Sequence, residues 1–258
     1  MNKKKFKKVH LFTNEIKVVQ ILKTHFSIEK LFTENKDLLK KLKKYNYKIV
    51  LVKSHKDLPK KINSLITMGI SCAFGIIFKK KFLTKYTNGI WNIHLGSLPN
   101  YRGRHPITAA FLNDEKKIGL SVHILDEKID RGFLLAKSYV KRNYSDDEIS
   151  IKKKLFAISL KVLKKGIKNF RKKKLIKVTK GHYYKPFYNG INIINSKKVE
   201  YKYIFNAAKA QKSYQGINVN KKKYYDAFFY SKNALNKKNI EIVFCKKNRK
   251  IILSNQKN

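Results

Sequence analysis

Short apolar runs alternate with helix-periodic stretches through the first 180 residues, and this alternation constrains the fold most tightly. Runs of strand length occupy residues 9–12, 30–33, 48–52, 71–74 and 89–93. Between them, residues 16–22, 36–45 and 58–68 carry apolar side chains at helical spacing, the last through Leu58, Ile62, Leu65 and Ile66. Apolar residues every three to four positions mark a helix face, whereas compact apolar runs bounded by turn residues suit strands buried on both sides. Strands joined through helices pair in parallel, because each crossover returns the chain to the same end of the sheet. The expected fold is therefore α/β, a mostly parallel sheet covered by helices over residues 1–180.

The pattern then changes. A long helix is expected over residues 146–168, with Ile151, Leu155, Ile158, Val162 and Leu163 as its apolar stripe. Ser145 followed by Glu148 reads as a capping box that starts it. Beyond residue 180, strands are expected at 182–187, 224–230, 240–244 and 250–253, with one helix near 199–211. The last two strands form a terminal hairpin. Residues 181–258 thus read as a small C-terminal β-rich α+β subdomain.

Charge narrows the functional classes less than its size suggests. Lys and Arg number 61 against 16 Asp and Glu, for a net charge of +45. Six of the 61 are Arg, the residue suited to forked phosphate and base contacts. The other 55 are Lys, spread from Lys3 to Lys257. That make-up fits an AT-rich genome as well as a polyanionic partner, and a 43% hydrophobic fraction excludes a disordered polybasic tail. Cys72 and Cys245, with no C-x-x-C, exclude a disulfide scaffold and a cysteine-built zinc site. Residues 9–12 are too short for a signal-peptide core, and the uncharged stretch 62–78 is broken by Asn63, Ser64, Gly69 and Gly75. A soluble cytoplasmic protein without a membrane segment is expected. The turn after the first strand reads Thr13-Asn14-Glu15, so no glycine-rich dinucleotide motif follows it.

The chemistry concentrates in residues 91–106, W-N-I-H-L-G-S-L-P-N-Y-R-G-R-H-P. Asn92 and His94 stand two positions apart at the end of an apolar run, which sets both side chains on one face of a strand. Open α/β sheets bind ligands beyond the carboxyl ends of their strands. An amide beside an imidazole there can stabilise an oxyanion and accept a proton, although N-x-H alone also describes a structural pair. Residues 119–132, G-L-S-V-H-I-L-D-E-K-I-D-R-G, alternate as a strand into a turn with Asp126, Glu127 and Asp130. Eight of the 16 acids lie between Asp114 and Glu148. Helix capping accounts for Asp146, Asp147 and Glu148 but leaves the first three without a structural reason. His123 is expected in the packed face of its strand, and Trp91 in the core.

Together, N-I-H-x-x-S-L-P-x-Y-R-G and G-x-S-V-H-x-x-D-E-x-I-D-x-G closely resemble the formyltransferases that use N10-formyltetrahydrofolate. These include methionyl-tRNA formyltransferase, glycinamide ribonucleotide transformylase and the sugar N-formyltransferases. The resemblance covers about residues 57–163 and, more loosely, the first 180. It implies a Rossmann-like sheet, a folate co-substrate, no metal, and a catalytic trio of Asn92, His94 and Asp130. Asn92 is then expected to bond the oxyanion, His94 to stabilise it or take the amine's proton, and Asp130 to hold the imidazole. The resemblance further places the pterin between Gly75, Ile76, Ile77 and Phe78 on one side and Leu125, Asp126, Glu127 and Ile129 on the other. Backbone groups would read its edge. Ser97, Arg102, Gly103 and His105 are the candidate acceptor contacts. For Arg102 and Gly103 the alternative is shaping the loop, and for His105 it is orienting the next helix.

The acceptor follows from smaller signs. Neither the glycine-rich basic insertion nor the full C-terminal barrel of the tRNA enzymes is evident, and R-G-R-H-P is similar to the sugar-nucleotide group. A nucleotide-linked amino sugar is the expected phosphate-bearing acceptor. Initiator tRNA is the alternative, and a non-catalytic RNA-binding protein on the same scaffold is the alternative of another class. Kinship with the sugar group also implies a homodimer.

Overall fold

The computed structural model describes residues 6–43, 45 and 47–257. Positions 1–5 of the expected first domain, 44 of the expected 36–45 helix and 258 of the subdomain lie outside the described residues. The first half runs β1 (Phe6–Thr13), α1 (Ile16–Leu22), β2 (Phe26–Thr33), α2 (Lys36–Lys43), β3 (Ile49–Leu51), β4 (Met68–Cys72), α3 (Lys80–Leu83) and β5 (Ile90–His94). It continues with α4 (Pro106–Leu112), β6 (Lys117–Ile124), β7 (Gly132–Lys141), α5 (Glu148–Arg171) and β8 (Ile176–Val178).

These eight strands make one sheet in the order β3-β2-β1-β4-β5-β6-β7-β8. The pairings from β3 through β5 are parallel. At β5 the direction reverses: β6 runs antiparallel to it, as β8 does to β7. Val9, Leu11 and Phe12 of β1 are fully buried, as a strand covered on both faces requires. Phe12 stacks on Phe32 of β2 and meets the edges of Phe78 and Phe82, in a cluster that extends to Ile66 and Ile90. Helix α2 buries Leu38 and Leu42, one turn apart, and starts where Asn35 Oδ1 accepts from the Asp37 and Leu38 N–H groups at 2.9 and 3.1 Å.

The expected 58–68 helix does not form. Asn63 ends the periodicity: its Oδ1 accepts from the Leu65 N–H at 2.9 Å and its carbonyl from the Ile66 N–H at 2.8 Å. Such side-chain turns compete with the helical backbone. Leu58 and Ile66 still reach the core, whereas Leu65 is 65% exposed. The capping box at the start of α5 is shifted too. Asp147 Oδ1 accepts from the Ser150 N–H at 2.8 Å and Ser150 Oγ from the Asp147 N–H at 3.1 Å. Glu148 instead accepts from Ser213 Oγ and Tyr214 Oη at 3.1 and 3.0 Å.

Contacts divide the chain into two compact units, each discontinuous in sequence: residues 1–102, 119–138 and 156–182, and residues 103–118, 139–155 and 183–258. The segments 103–118 and 139–155 thus group with the C-terminal residues. In this second unit follow β9 (Ile191–Ile193), α6 (Tyr201–Gln211), β10 (Ile217–Val219), β11 (Lys222–Tyr224), β12 (Asp226–Phe229), α7 (Lys232–Leu235), β13 (Ile240–Phe244) and β14 (Lys250–Ser254). They form two three-stranded sheets, β11-β10-β9 and β12-β14-β13, over a core with α6. Arg142 ties this unit together, donating to Asp114 Oδ1, the Glu115 carbonyl and Asn206 Oδ1.

The terminal hairpin is present as β13 and β14. The single strand expected at 224–230 is split between the two sheets. Residues 182–187 hold one bridge residue, Tyr183, where a strand was expected. Pro186 has no N–H to give a ladder, and the Phe187 N–H donates to His105 Nδ1 at 3.0 Å instead.

Candidate active site

The first unit assembles the site at the carboxyl end of β5. Asn92 and His94 share a face of that strand, and the antiparallel register sets His123 opposite Asn92 and Ser121 opposite His94. Ser121 is fully buried. Its Oγ donates to the Gly96 carbonyl at 2.8 Å and accepts from the Leu98 N–H at 2.9 Å, fastening the loop that leaves β5. Gly119 permits the same approach, since a Cβ there would fall 2.6 Å from Ser97 Cβ.

Hydrogen bonds identify the donating nitrogen of each imidazole. His94 Nε2 lies 2.6 Å from the Tyr101 carbonyl, which can only accept, so Nε2 is the donor and Nδ1 is the nitrogen left for a second partner. Asp130 Oδ1 stands 3.6 Å from that Nδ1. His123 Nδ1 likewise donates to the Arg131 carbonyl at 2.9 Å, leaving Nε2 to accept from Asn92 Nδ2 at 3.3 Å. Asp130 Oδ1 also lies 3.7 Å from His123 Nε2. The carboxylate therefore faces both rings, which cross at 89° with centroids 6.2 Å apart. His94, His123 and Asp130 are all buried.

Asn92 and His94 of β5 and Asp130, 36 positions beyond His94, are thus brought together. The Tyr101 carbonyl accepts from one nitrogen of the His94 ring, and Asp130 Oδ1 faces the other. His123 is in the packed face of its strand, as expected, but it also bonds Asn92, a contact not expected from the sequence. The signal was present in S-V-H, where Ser121 and His123 fall on one face as polar residues in an apolar strand.

Two loops flank this cluster. After β4, Gly75 and Ile76 are half-buried, Phe78 is buried, and Ile77 is 58% exposed. The turn after β6 begins with the Leu125 N–H donating to the Ile90 carbonyl at 2.8 Å. Asp126 Oδ1 accepts from the Lys128 N–H at 2.8 Å, and Asp130 adopts a left-handed φ of 50°. Glu127 is exposed and Ile129 is 41% exposed. Open apolar side chains on loops rich in peptide groups suit a flat heteroaromatic ring with a polar edge. A cleft of about 510 Å³ borders the same turn, lined by Leu125, Asp126, Glu127, Leu83 and four basic side chains, Lys80, Lys128, Arg131 and Lys177. Asn92, His94 and Asp130 are not in its lining.

The four acceptor candidates fall in two places. In the first unit, the Ser97 carbonyl accepts from the Asn100 and Tyr101 N–H groups, each at 3.1 Å. Arg102 is buried and donates through Nη2 to the Gly181 carbonyl at 3.1 Å. Its Nε has no hydrogen-bond partner among the described residues. Gly103 and His105 belong to the second unit. Gly103 has φ 115°, and a Cβ would fall 2.4 Å from the Tyr184 carbonyl oxygen. His105 occupies the cap position of α4 without a side-chain cap bond, set among Phe187, Tyr188 and Tyr214. Burial, reinforced by Arg104, holds its pKa below the ordinary histidine value. Among the described residues no group of acids, histidines and cysteines could hold a metal, and no helix is long and apolar enough to cross a membrane.

The profile of the family described as "Formyl transferase" matches residues 33–165, more than half of the chain. A methionyl-tRNA formyltransferase of Caldanaerobacter subterraneus subsp. tengcongensis is 29% identical over 142 residues, 55% of this chain and 40% of the relative. The chain thus spans about 40% of the length of that curated relative. Among solved structures, the sugar 3N-formyl transferase WlaRD, obtained with dTDP and 5-N-formyl-THF, has a TM-score of 0.68 at 20% identity. That match covers 98% of this chain and 99% of the other. An N-formyltransferase from Helicobacter canadensis, in complex with folinic acid and dTDP-3-aminofucose, also has a TM-score of 0.68, at 19% identity over 97% of this chain and all of the other. At these identities the structural likeness establishes the fold.

Proposed function

Because the chain belongs to the formyl transferase family, we propose that it moves a formyl group from N10-formyltetrahydrofolate to the amino group of a nucleotide-linked amino sugar. The observation that carries the reaction is the convergence of Asn92, His94 and Asp130 at the carboxyl end of β5. The acceptor amine attacks the formyl carbon, the carbonyl oxygen gains negative charge, and the bond to N10 then breaks. Asn92 gives one N–H to His123, which leaves the second to bond the oxyanion. His94 takes the amine's proton at Nδ1, because its other nitrogen is committed to Tyr101. Asp130, 3.6 Å away, stabilises the positive charge that proton creates. The proton leaves on N10, so tetrahydrofolate and an amide are released. Neither a covalent enzyme intermediate nor a metal is needed to balance these steps.

The sugar acceptor is supported by the extent of the match to sugar formyl transferases, which runs through residues beyond 180. Initiator methionyl-tRNA is the second reading, favoured by the curated relatives. The two separate in one assay. The protein is given N10-formyltetrahydrofolate with either a panel of nucleotide-linked amino sugars or charged initiator tRNA. Release of tetrahydrofolate with a sugar and not with the tRNA supports the first reading, and the reverse result replaces it with the second.

A further inference from the structure

The carboxyl ends of β1, β2 and β4 carry a hydrogen-bonded network that the chemistry above does not use. Glu34, just past β2, accepts through Oε2 from the Gly75 N–H at 2.5 Å and from Asn14 Nδ2 at 2.9 Å. Asn14, just past β1, accepts through Oδ1 from the Glu34 N–H at 2.8 Å and from Thr33 Oγ1 at 3.1 Å. Thr33 is fully buried, so the network is rooted in the sheet. From a third loop, His55 Nε2 donates to the Ile77 carbonyl at 2.7 Å. The turn bearing His55 is itself set by a capping box, in which Asp57 accepts from the Lys53 and Ser54 N–H groups at 2.8 and 2.9 Å.

The loop after β4 is therefore gripped at Gly75 by a carboxylate and at Ile77 by an imidazole. Fixing that N–H and that carbonyl also fixes the two peptide planes between them. The loop begins against its preferences, because Ala73 holds a left-handed φ of 49°. A residue with a Cβ is disfavoured there, and such conformations persist where the surroundings over-determine them, chiefly at ligand sites. Strand order places the loop well for a ligand. The order reverses between β1 and β4, and the next strand, β5, ends at His94.

We propose that Glu34 and His55 are positioning residues for the formyl donor, holding the 75–78 backbone in the arrangement that reads the pterin edge. This inference rests on the folate reading above. Neither residue touches the reacting atoms; both act through the loop. The charge on Glu34 makes its bond to Gly75 the stronger of the two grips, since an ionised acceptor binds an N–H about twice as tightly as a neutral one.

The test is equilibrium binding of 5-formyltetrahydrofolate to the full-length protein and to Glu34→Ala, Glu34→Gln and His55→Ala. Loss of one charge-assisted hydrogen bond predicts about tenfold weaker binding for Glu34→Ala. His55→Ala is expected to lose about threefold, in keeping with a neutral bond. Glu34→Gln falls between wild type and Glu34→Ala, because its amide oxygen still accepts from Gly75. In turnover, the donor KM rises by the same factors while the acceptor KM holds. A merely structural role would lower the melting temperature and leave the donor KM unchanged. If the wild-type protein does not bind 5-formyltetrahydrofolate, the folate reading falls and this inference falls with it. If it binds and the variants bind equally well, the positioning role is overturned and the folate reading stands. Should Glu34→Ala fail to fold, Glu34→Gln and His55→Ala decide.

Discussion

Replacing Asp130 by Asn removes a charge and little else. The Asn side chain keeps the shape of Asp, and Asn tolerates the left-handed backbone that Asp130 adopts at φ 50°. On the proposed mechanism, what is lost is attraction between the carboxylate and the proton that His94 Nδ1 acquires during transfer. At the observed 3.6 Å, with an effective dielectric of about 20, that attraction is about 4–5 kcal/mol. Every 1.36 kcal/mol is about a factor of ten in rate, so kcat should fall about a thousandfold. The assay is steady-state release of tetrahydrofolate at saturating donor and acceptor, with circular dichroism and thermal denaturation as controls. Asp130→Ala adds a contrast: it loses the same charge but also strains the backbone, by about 1 kcal/mol, and should melt lower. An Asp130→Asn protein that folds normally and turns over within tenfold of wild type would refute the reasoning.

The remaining predictions concern the framework. Burial, aided by Lys30, pushes the His10 pKa down from 6.5 to about 4. The unfolded chain then binds a proton that the folded chain refuses, so this contribution to stability is complete above about pH 6.5 and drains away toward pH 4, by about 3 kcal/mol. Urea midpoints across that range should show a pH-dependent gap between wild type and His10→Asn; a constant gap contradicts the prediction. Ile66→Ala should cost about 2–5 kcal/mol, while Leu65→Ser stays within about 0.5 kcal/mol. A helix over residues 58–68 would make both costly, so denaturant unfolding separates the two structures. In the second unit, burial would raise the Asp226 pKa, but Lys209 and Lys212, each 2.7 Å away, hold it below the ordinary value. Asp226→Asn leaves the buried Lys209 without a counter-charge and should cost about 3–5 kcal/mol, read from the same unfolding curves.

Some of this architecture was legible because it depends on local periodicity. Residues 9–12, 48–52 and 89–93 are compact apolar runs, and a strand is the shortest element that buries every side chain in such a run. The two-residue spacing of Asn92 and His94 likewise determines their common face. What was not legible depends on competition or on distant partners. Leu58, Ile62 and Ile66 have helical spacing, yet the Asn63 side chain offers the backbone a better local partner. Ser145 and Glu148 have the right types for a capping box, but Glu148 is drawn away by Ser213 and Tyr214, more than sixty residues on. His123 looks like core because it is core. Its second role follows from the register of β5 with β6, and neither strand shows that register alone. The grips on Gly75 and Ile77 are invisible for the same reason, since Glu34 and His55 lie 41 and 22 positions away.

Net charge had suggested a polyanionic partner, but a charge of +45 spread over the whole chain selects no reaction. On the proposed mechanism, chemistry rests on one residue of the minority sign, Asp130, and its polar neighbours Asn92 and His94. The central claim is that Asn92, His94 and Asp130 pass a formyl group from a folate to an amine, and one labelling experiment reaches it directly. The protein is supplied with N10-formyltetrahydrofolate carrying carbon-13 in the formyl group, together with a nucleotide-linked amino sugar. The label is expected in a new amide on the sugar, with one tetrahydrofolate released for each amide formed. Salt-sensitive binding to RNA, with no label on any amine offered and no tetrahydrofolate released, would contradict it.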